Sequence, residues 1–279
     1  MRYFTLIFLS TIVSCRTTTY TGELTELDSV YLEMSNYIEN PKPTDTICLN
    51  DIARARQDVA EGKIAINNLL GLERGNRRYS KQLKNLIEKQ GLIFRPEGEY
   101  CVVYAGQTQG CYSLYMDKII AERLGTDFKK RIHERADSIY FEQAKNDTIW
   151  NWYCDEKPKL LPDHSAIEWE IGGGILFLGI ILETDVKVPE NKIESVFPSD
   201  KYPTFVNVYI TIDKNGDVTK FRDDSCRRQE ADTTLHDQLF PIAVDEIKRN
   251  YNHWKPGTIR GEPMNTEYEF RVYFKNKAT

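Results

Sequence analysis

Toward the end of the chain, apolar and polar residues alternate. Val206, Val208, Ile210 and Ile212 are separated by Asn207, Tyr209 and Thr211, a period of two that sets one apolar row on one face of a strand. Asp213-Lys214-Asn215-Gly216-Asp217 then supplies residues that tolerate positive φ, and Val218 to Phe221 resumes the extended pattern, so the stretch predicts a hairpin. Phe240, Val244, Ile247 and Tyr251 recur at helical spacing and mark one side of an amphipathic helix. Pro241 is placed at its regular start, because proline is disfavoured deep inside a helix. In the closing segment Tyr268, Phe270, Val272 and Phe274 face one way, and Glu267, Glu269, Arg271 and Tyr273 the other. The order is strand, strand, helix, strand, in which the helix can cover only one sheet face.

Upstream the period lengthens to that of helices. Ile52, Ala55 and Val59 predict a helix from Asp51 to about Leu70, capped by Asn50 and weakened in its middle by Gly62. Tyr79, Leu83, Leu86 and Ile87 predict a second, stopped by Gly91. Short strands follow at Leu92-Ile93-Phe94 and Tyr100 to Ala105. Two more helices are lined by Tyr112, Met116, Ile119 and Ile120, and by Phe128, Ile132, Ala136, Ile139 and Tyr140, with Gly125 between them. The apolar run from Ile171 to Leu182 is shorter than the roughly 20 residues a membrane span takes. It reads as a buried strand or pair of strands extending the C-terminal sheet. The fold class is therefore α+β: a mostly helical domain over residues 47–160, an apolar strand segment and connection over 161–202, and the strand-strand-helix-strand domain over 203–279.

The N-terminus carries a different signal. Arg2 precedes an apolar run from Phe4 to Val13, and Ile12-Val13-Ser14-Cys15 resembles the lipobox of bacterial lipoproteins. That resemblance makes residues 1–15 a cleaved signal peptide and implies lipid on Cys15. Residues 16–46 then form a polar tether with a short helix around Leu24 to Tyr37, ended by Pro41-Lys42-Pro43. The expected location is the cell envelope, anchored and facing the periplasm, at the outer membrane rather than the inner. A formal net charge of −5 over 279 residues argues against general nucleic-acid binding.

The ITIDKNGDV hairpin, the following helix, the Trp254-Lys255-Pro256-Gly257 turn leading through Gly261-Glu262-Pro263, and the YEFRVYF strand together resemble the C-terminal domain of TonB. TonB is the bacterial energy transducer, and the resemblance covers about residues 205–275. It implies a small α/β two-layer sandwich that engages a protein partner, such as an outer-membrane receptor, by pairing with a short peptide strand. The edge expected to serve is Thr266 to Phe274, with Glu267, Glu269, Arg271 and Tyr273 tuning selection. Trp254 beside Pro-Gly is expected to anchor the turn in the core. Neither a membrane-spanning helix nor a long Pro-rich linker is visible, so a motor-coupled transducer is not expected. The leading expectation is a non-enzymatic envelope lipoprotein that binds a partner. The alternatives are a secreted hydrolase with its site in the helical domain, and a bracing component of the envelope.

The chain has six cysteines, and an exported protein can keep disulfides. Cys101 and Cys111 flank a short Gly-containing loop and are the pair expected to bridge, with Cys48 and Cys154 a second pairing and Cys226 left over. His133, His164, His236 and His253 are isolated, and no close Cys or His pair suggests a metal. Gly172-Gly173-Gly174 has no adjacent nucleophile and introduces no convincing dinucleotide site. No catalytic residue, metal or cofactor is assigned.

Overall fold

A computed structural model describes residues 35–70, 78–98, 105–161, 167–171, 175–189, 202–223 and 233–277. Signal peptide and Cys15, most of the short helix from Leu24, Cys101, Gly172 to Gly174, most of the connection after Val188, and Cys226 lie outside these residues. In chain order the elements are α1 (Thr46–Ala60), β1 (Ala65–Leu70), α2 (Ser80–Lys89), β2 (Ile93–Gly98), α3 (Cys111–Leu124) and α4 (Phe128–Ala144). They continue with β3 (Thr148–Trp150), a 3₁₀ turn (Asn151–Tyr153), β4 (Lys159–Leu160), β5 (Ile167–Ile171), β6 (Ile175–Thr184), β7 (Phe205–Ile212) and β8 (Val218–Asp223). The last are α5 (Thr233–Asn250), β9 (Trp254–Lys255), β10 (Thr258–Ile259), β11 (Glu262–Pro263) and β12 (Asn265–Asn276). The chain is thus α+β, and it divides into two compact units that cut across the expected boundaries. One holds residues up to Ile64 together with Tyr100–Ile120, the other Ala65–Glu99 with Ala121–Thr279.

In the first unit α1 starts five residues earlier than its expected first residue, because the cap is Asp45 rather than Asn50. Asp45 is fully buried, and its Oδ1 accepts from the amides of Cys48 and Thr108 at 3.1 Å each. A donor of the first helical turn is thereby satisfied. The helix ends at Ala60, since Gly62 takes a φ of 77°; the glycine expected to weaken the middle in fact terminates it. Cys48, Ile52 and Ala55 form the buried face of α1, and Cys111, Tyr112, Met116 and Ile120 that of α3. Cys48 and Cys111 are joined by a disulfide with a Cα separation of 5.2 Å. The expected pairing of Cys111 with Cys101 is corrected accordingly, and Cys154, expected to pair with Cys48, is free. The helical start brings Cys48 inward in the first turn, and two residues far apart in sequence meet there.

The second unit is organised by β12. A six-stranded sheet runs in the order β5-β6-β12-β7-β8, with β3 also on β12. β12 pairs antiparallel with β7 from Thr266 to Tyr273, parallel with β6 from Phe270 to Asn276, and parallel with β3 from Asn265 to Glu267. The apolar run after Ser165 forms the antiparallel hairpin β5–β6 and extends the sheet as expected. Residues 148–150, expected within the helical domain, belong to the sheet.

Helix α5 covers one face. Val206, Val208, Ile210 and Ile212 of β7 and Tyr268, Phe270, Val272 and Phe274 of β12 meet Leu239, Ala243, Ile247 and Tyr251. The stripe on α5 is one residue out of the expected phase at its start: Leu239 and Ala243 are buried where Phe240 and Val244 were expected, and those two are only partly buried. The reason is that α5 runs unbroken from Thr233 with Pro241 inside it, so the four-residue spacing counts from Leu239. Trp254, 3% exposed, is the expected core anchor, stacking near Tyr268 and donating from Nε1 to the Tyr251 carbonyl at 2.9 Å. Helices α2 and α4 pack against each other in the same unit, with Leu83 and Ile87 buried on α2 and Phe128, Ile132, Ala136 and Phe141 on α4.

Candidate functional site

A cavity of about 460 Å³ opens in the second unit. Its walls come from segments that sequence keeps far apart: Arg78 and Tyr79 just before α2, His133, Asp137 and Ser138 on α4, Trp152 and Tyr153 of the 3₁₀ turn, Cys154 and Asp155 after it, and Arg260. His133 and Asp137 are four residues apart on α4 and so share one helix face. Arg260 stands at the tip of the hairpin between β10 and β11, with a φ of 53° followed by Gly261 at 78°. It is the one non-glycine residue with positive φ among the described residues. Two consecutive positive φ values match the tight turn favoured between antiparallel strands, where Asn-Gly is the usual occupant.

The cavity wall is stitched by a double ion pair. Arg78 donates from Nε and Nη2 to Asp137 at 2.7 and 3.3 Å, and from Nη1 to Asp155 Oδ1 at 2.6 Å and the Tyr153 carbonyl at 2.9 Å. Arg260 donates from Nη2 to Asp137 Oδ2 at 2.8 Å and from its amide to Asp155 Oδ2 at 2.7 Å. Burial disfavours the charged form of Asp137, yet the hydrogen bonds from Arg78 and Arg260 override it and hold the carboxyl below the ordinary carboxylate value. Asp155 is lowered in the same way, with burial outweighed by the Arg260 amide and the Arg78 guanidinium. Arg78 is fixed as a cation despite its burial.

Cys154, Ser138 and His133 are further polar or ionisable groups of the wall. Burial pushes the Cys154 thiol up to about 12, so the thiolate is scarce at neutral pH. Its sulfur packs so close to Gly257 that a Cβ there would come within 2.8 Å of it. Ser138 Oγ donates to the Glu134 carbonyl at 2.8 Å and accepts from Arg260 at 3.2 Å. His133 Nδ1 lies 3.3 Å from the Tyr79 hydroxyl, with the rings edge to face. The cavity thus gathers two guanidinium groups, the carboxylates of Glu134, Asp137 and Asp155, and the rings of Tyr79, Trp152 and Tyr153. Among the described residues no group of His, Cys, Asp and Glu could hold a metal ion.

The residues expected to select a partner lie elsewhere, on the sheet face opposite α5. Glu267 pairs with Arg222 of β8 at 2.8 Å. Glu269 and Tyr273 are buried, at 7% and 2% exposure. Arg271 donates to Asn207 Oδ1 at 2.8 Å, lies 3.4 Å from Glu269, and stacks its guanidinium 4.6 Å from the Phe205 ring. Trp150 meets Tyr209 edge to face, and Tyr209 in turn carries Arg222 over its ring at 4.4 Å. The four residues are thus brought onto one face, but three of them serve an internal network more than an outward surface. Nor is β12 an edge: its main-chain groups meet β7 on one side and β3 and β6 on the other. Alternation reveals which face a residue takes and is blind to the strand that arrives beside it.

Arg78, Asp137, Asp155 and Arg260 were not singled out from sequence. The readable part was the Arg260-Gly261 turn between short extended segments; the convergence on Asp137 depends on helix packing that no local pattern encodes. No family model, characterised protein or solved structure matches the chain.

Proposed function

We propose that this chain is a cell-envelope protein, held at a membrane by lipid on Cys15, whose sheet unit binds a protein partner by strand addition without turning over a substrate. The observation that carries the binding reading is the sheet order, in which, among the described residues, β8 is an outermost strand beside β7 while β12 is internal. An added strand therefore extends β8, and not the strand that the TonB resemblance alone suggests. Thr219 forms a bulge where the pairing of β7 and β8 shifts register, and Lys220 beyond it is exposed. Bulges and charges limit indiscriminate pairing at such an edge, and the lysine favours an acidic partner segment.

The order of β7, β8, α5 and β12 supports the TonB-like reading of this unit, and an outer-membrane transport protein is the class of partner it suggests. The Cys48–Cys111 bond supports an oxidising compartment such as the periplasm, where such links persist. Two experiments separate the halves of the proposal. A photo-crosslinking residue at Lys220 is expected to trap a discrete envelope protein, and the same residue at the exposed Lys130 on α4 is not. Equal trapping from both, or from neither, would sink the strand-addition reading. Metabolic labelling with a fatty-acid analogue is expected to mark the wild type and not Cys15→Ala; an unlabelled wild type would remove the anchor.

A further inference from the structure

We infer that the cavity beside Arg260 binds a carboxylate carried on a planar apolar body, with the Arg260 guanidinium as the selecting donor. Arg260 Nη2 is committed to Asp137 and Ser138, while Nε and Nη1 have no hydrogen-bond partner among the described residues. The side chain is 42% exposed at the cavity wall. With Nη2 engaged in the wall, Nε and Nη1 point to different sides of the guanidinium, and each offers a charge-assisted donor of the kind that binds a carboxylate oxygen. Both nearby aspartates already accept two or more hydrogen bonds from arginine groups, and Glu134, the third carboxylate of the lining, lies 3.9 Å from the Lys130 ammonium. The open capacity is a donor capacity, and it calls for an acceptor.

The second observation is the backbone. An L-residue at positive φ is strained, and glycine or asparagine would fill this turn position at lower cost. The chain instead places there an arginine whose head group reaches the cavity. The third is the apolar part of the wall. Tyr79, Trp152 and Tyr153 give ring surfaces against which a planar group stacks. A ligand with one acid group and one ring satisfies both kinds of wall. Such a ligand is either a small free acid or the terminal residue of a polypeptide, and the two are told apart by experiment. This inference is independent of strand addition at β8.

The test is isothermal titration of the exported form of the chain with four probes: 3-phenylpropionate, its amide, a tripeptide ending in phenylalanine with a free carboxylate, and the same tripeptide amidated. Each acid is expected to bind at least about tenfold more tightly than its amide. Arg260→Gly, which keeps the turn without strain, is expected to weaken the acids at least about tenfold and to leave the amides unchanged. Arg260→Lys, which keeps the charge but cannot hold Asp137 and a ligand from separate nitrogens, is expected to fall between. Tighter binding of the tripeptide acid assigns a polypeptide terminus, and tighter binding of 3-phenylpropionate a small acid. Equal binding of acid and amide to the wild type, no binding of any probe, or an Arg260→Gly protein that binds the acids as before would each overturn the inference. The comparison of acid with amide on the wild type stands even if the glycine variant fails to fold.

Discussion

The amide of Trp254 donates to the carbonyl of Gly216 at 2.8 Å, and a Cβ at residue 216 would lie 1.8 Å from the carbonyl oxygen of Trp254. The tip of the β7–β8 hairpin and the turn after α5 are therefore locked backbone against backbone. Gly216 also has a φ of 90°, so a side chain is refused on two counts. Gly216→Ala is expected to destabilise the sheet unit by about 3 kcal/mol, combining left-handed strain with overpacking against an atom that cannot move away. Urea unfolding of the two proteins measures it, and a change well under about 1 kcal/mol would contradict this account of the turn.

Removing the Asp137 charge weakens its hydrogen bonds from Arg78 and Arg260 and leaves Asp155 and the Tyr153 carbonyl as partners of Arg78. Asp137→Asn is expected to cost about 2 kcal/mol, because the bonds lost are charge-assisted and Arg78 is only 15% exposed. Asp137 and Asp155 titrate below their ordinary values in the folded chain. Their contribution is fully present above the unfolded carboxylate value, near pH 4, and is lost as pH falls through the folded value. Urea midpoints measured between pH 7 and pH 3 should fall at the acid end less steeply in Asp137→Asn than in the wild type.

Reduction of Cys48–Cys111 releases a constraint on a segment of 63 residues. The chain-entropy estimate puts the loss at about 4 kcal/mol. The expected result is a lower thermal midpoint with reductant, matched by the double variant Cys48→Ser/Cys111→Ser and insensitive to reductant in that variant. Peptide mapping of the oxidised protein should recover Cys48 linked to Cys111.

Pro241 withholds an amide from the ladder of α5 while its own side is exposed. Pro241→Ala restores the donor and is expected to stabilise the unit by about 1 kcal/mol or more. Calorimetric melting checks the sign: a destabilised variant would mean that the proline-adapted geometry of α5 is itself needed for packing on β7.

What sequence made legible was local. The β7–β8 hairpin, the two-faced pattern of β12 and the stop at Gly91 all rest on periodicity or on one backbone conformation, and each was readable. The end of α1 at Ala60 was misjudged because helical spacing continues past Gly62 in the letters, although the glycine's positive φ ends it in space. Cys48–Cys111 was missed because proximity along the chain favoured Cys101, and the approach of α1 to α3 depends on two buried faces meeting. The cavity was invisible for the same reason: Arg78, Asp137 and Arg260 carry no shared motif, and only the packing of α2, α4 and the β10–β11 turn gathers them.

Every strand that β12 joins, namely β3, β6 and β7, precedes it in the chain. As the polypeptide emerges, β5–β6 and β7–β8 can each close as local hairpins, but nothing connects them until residues 265–276 are delivered. Folding of this unit is therefore a terminal event, and a sheet seamed by distant pairings also forms slowly.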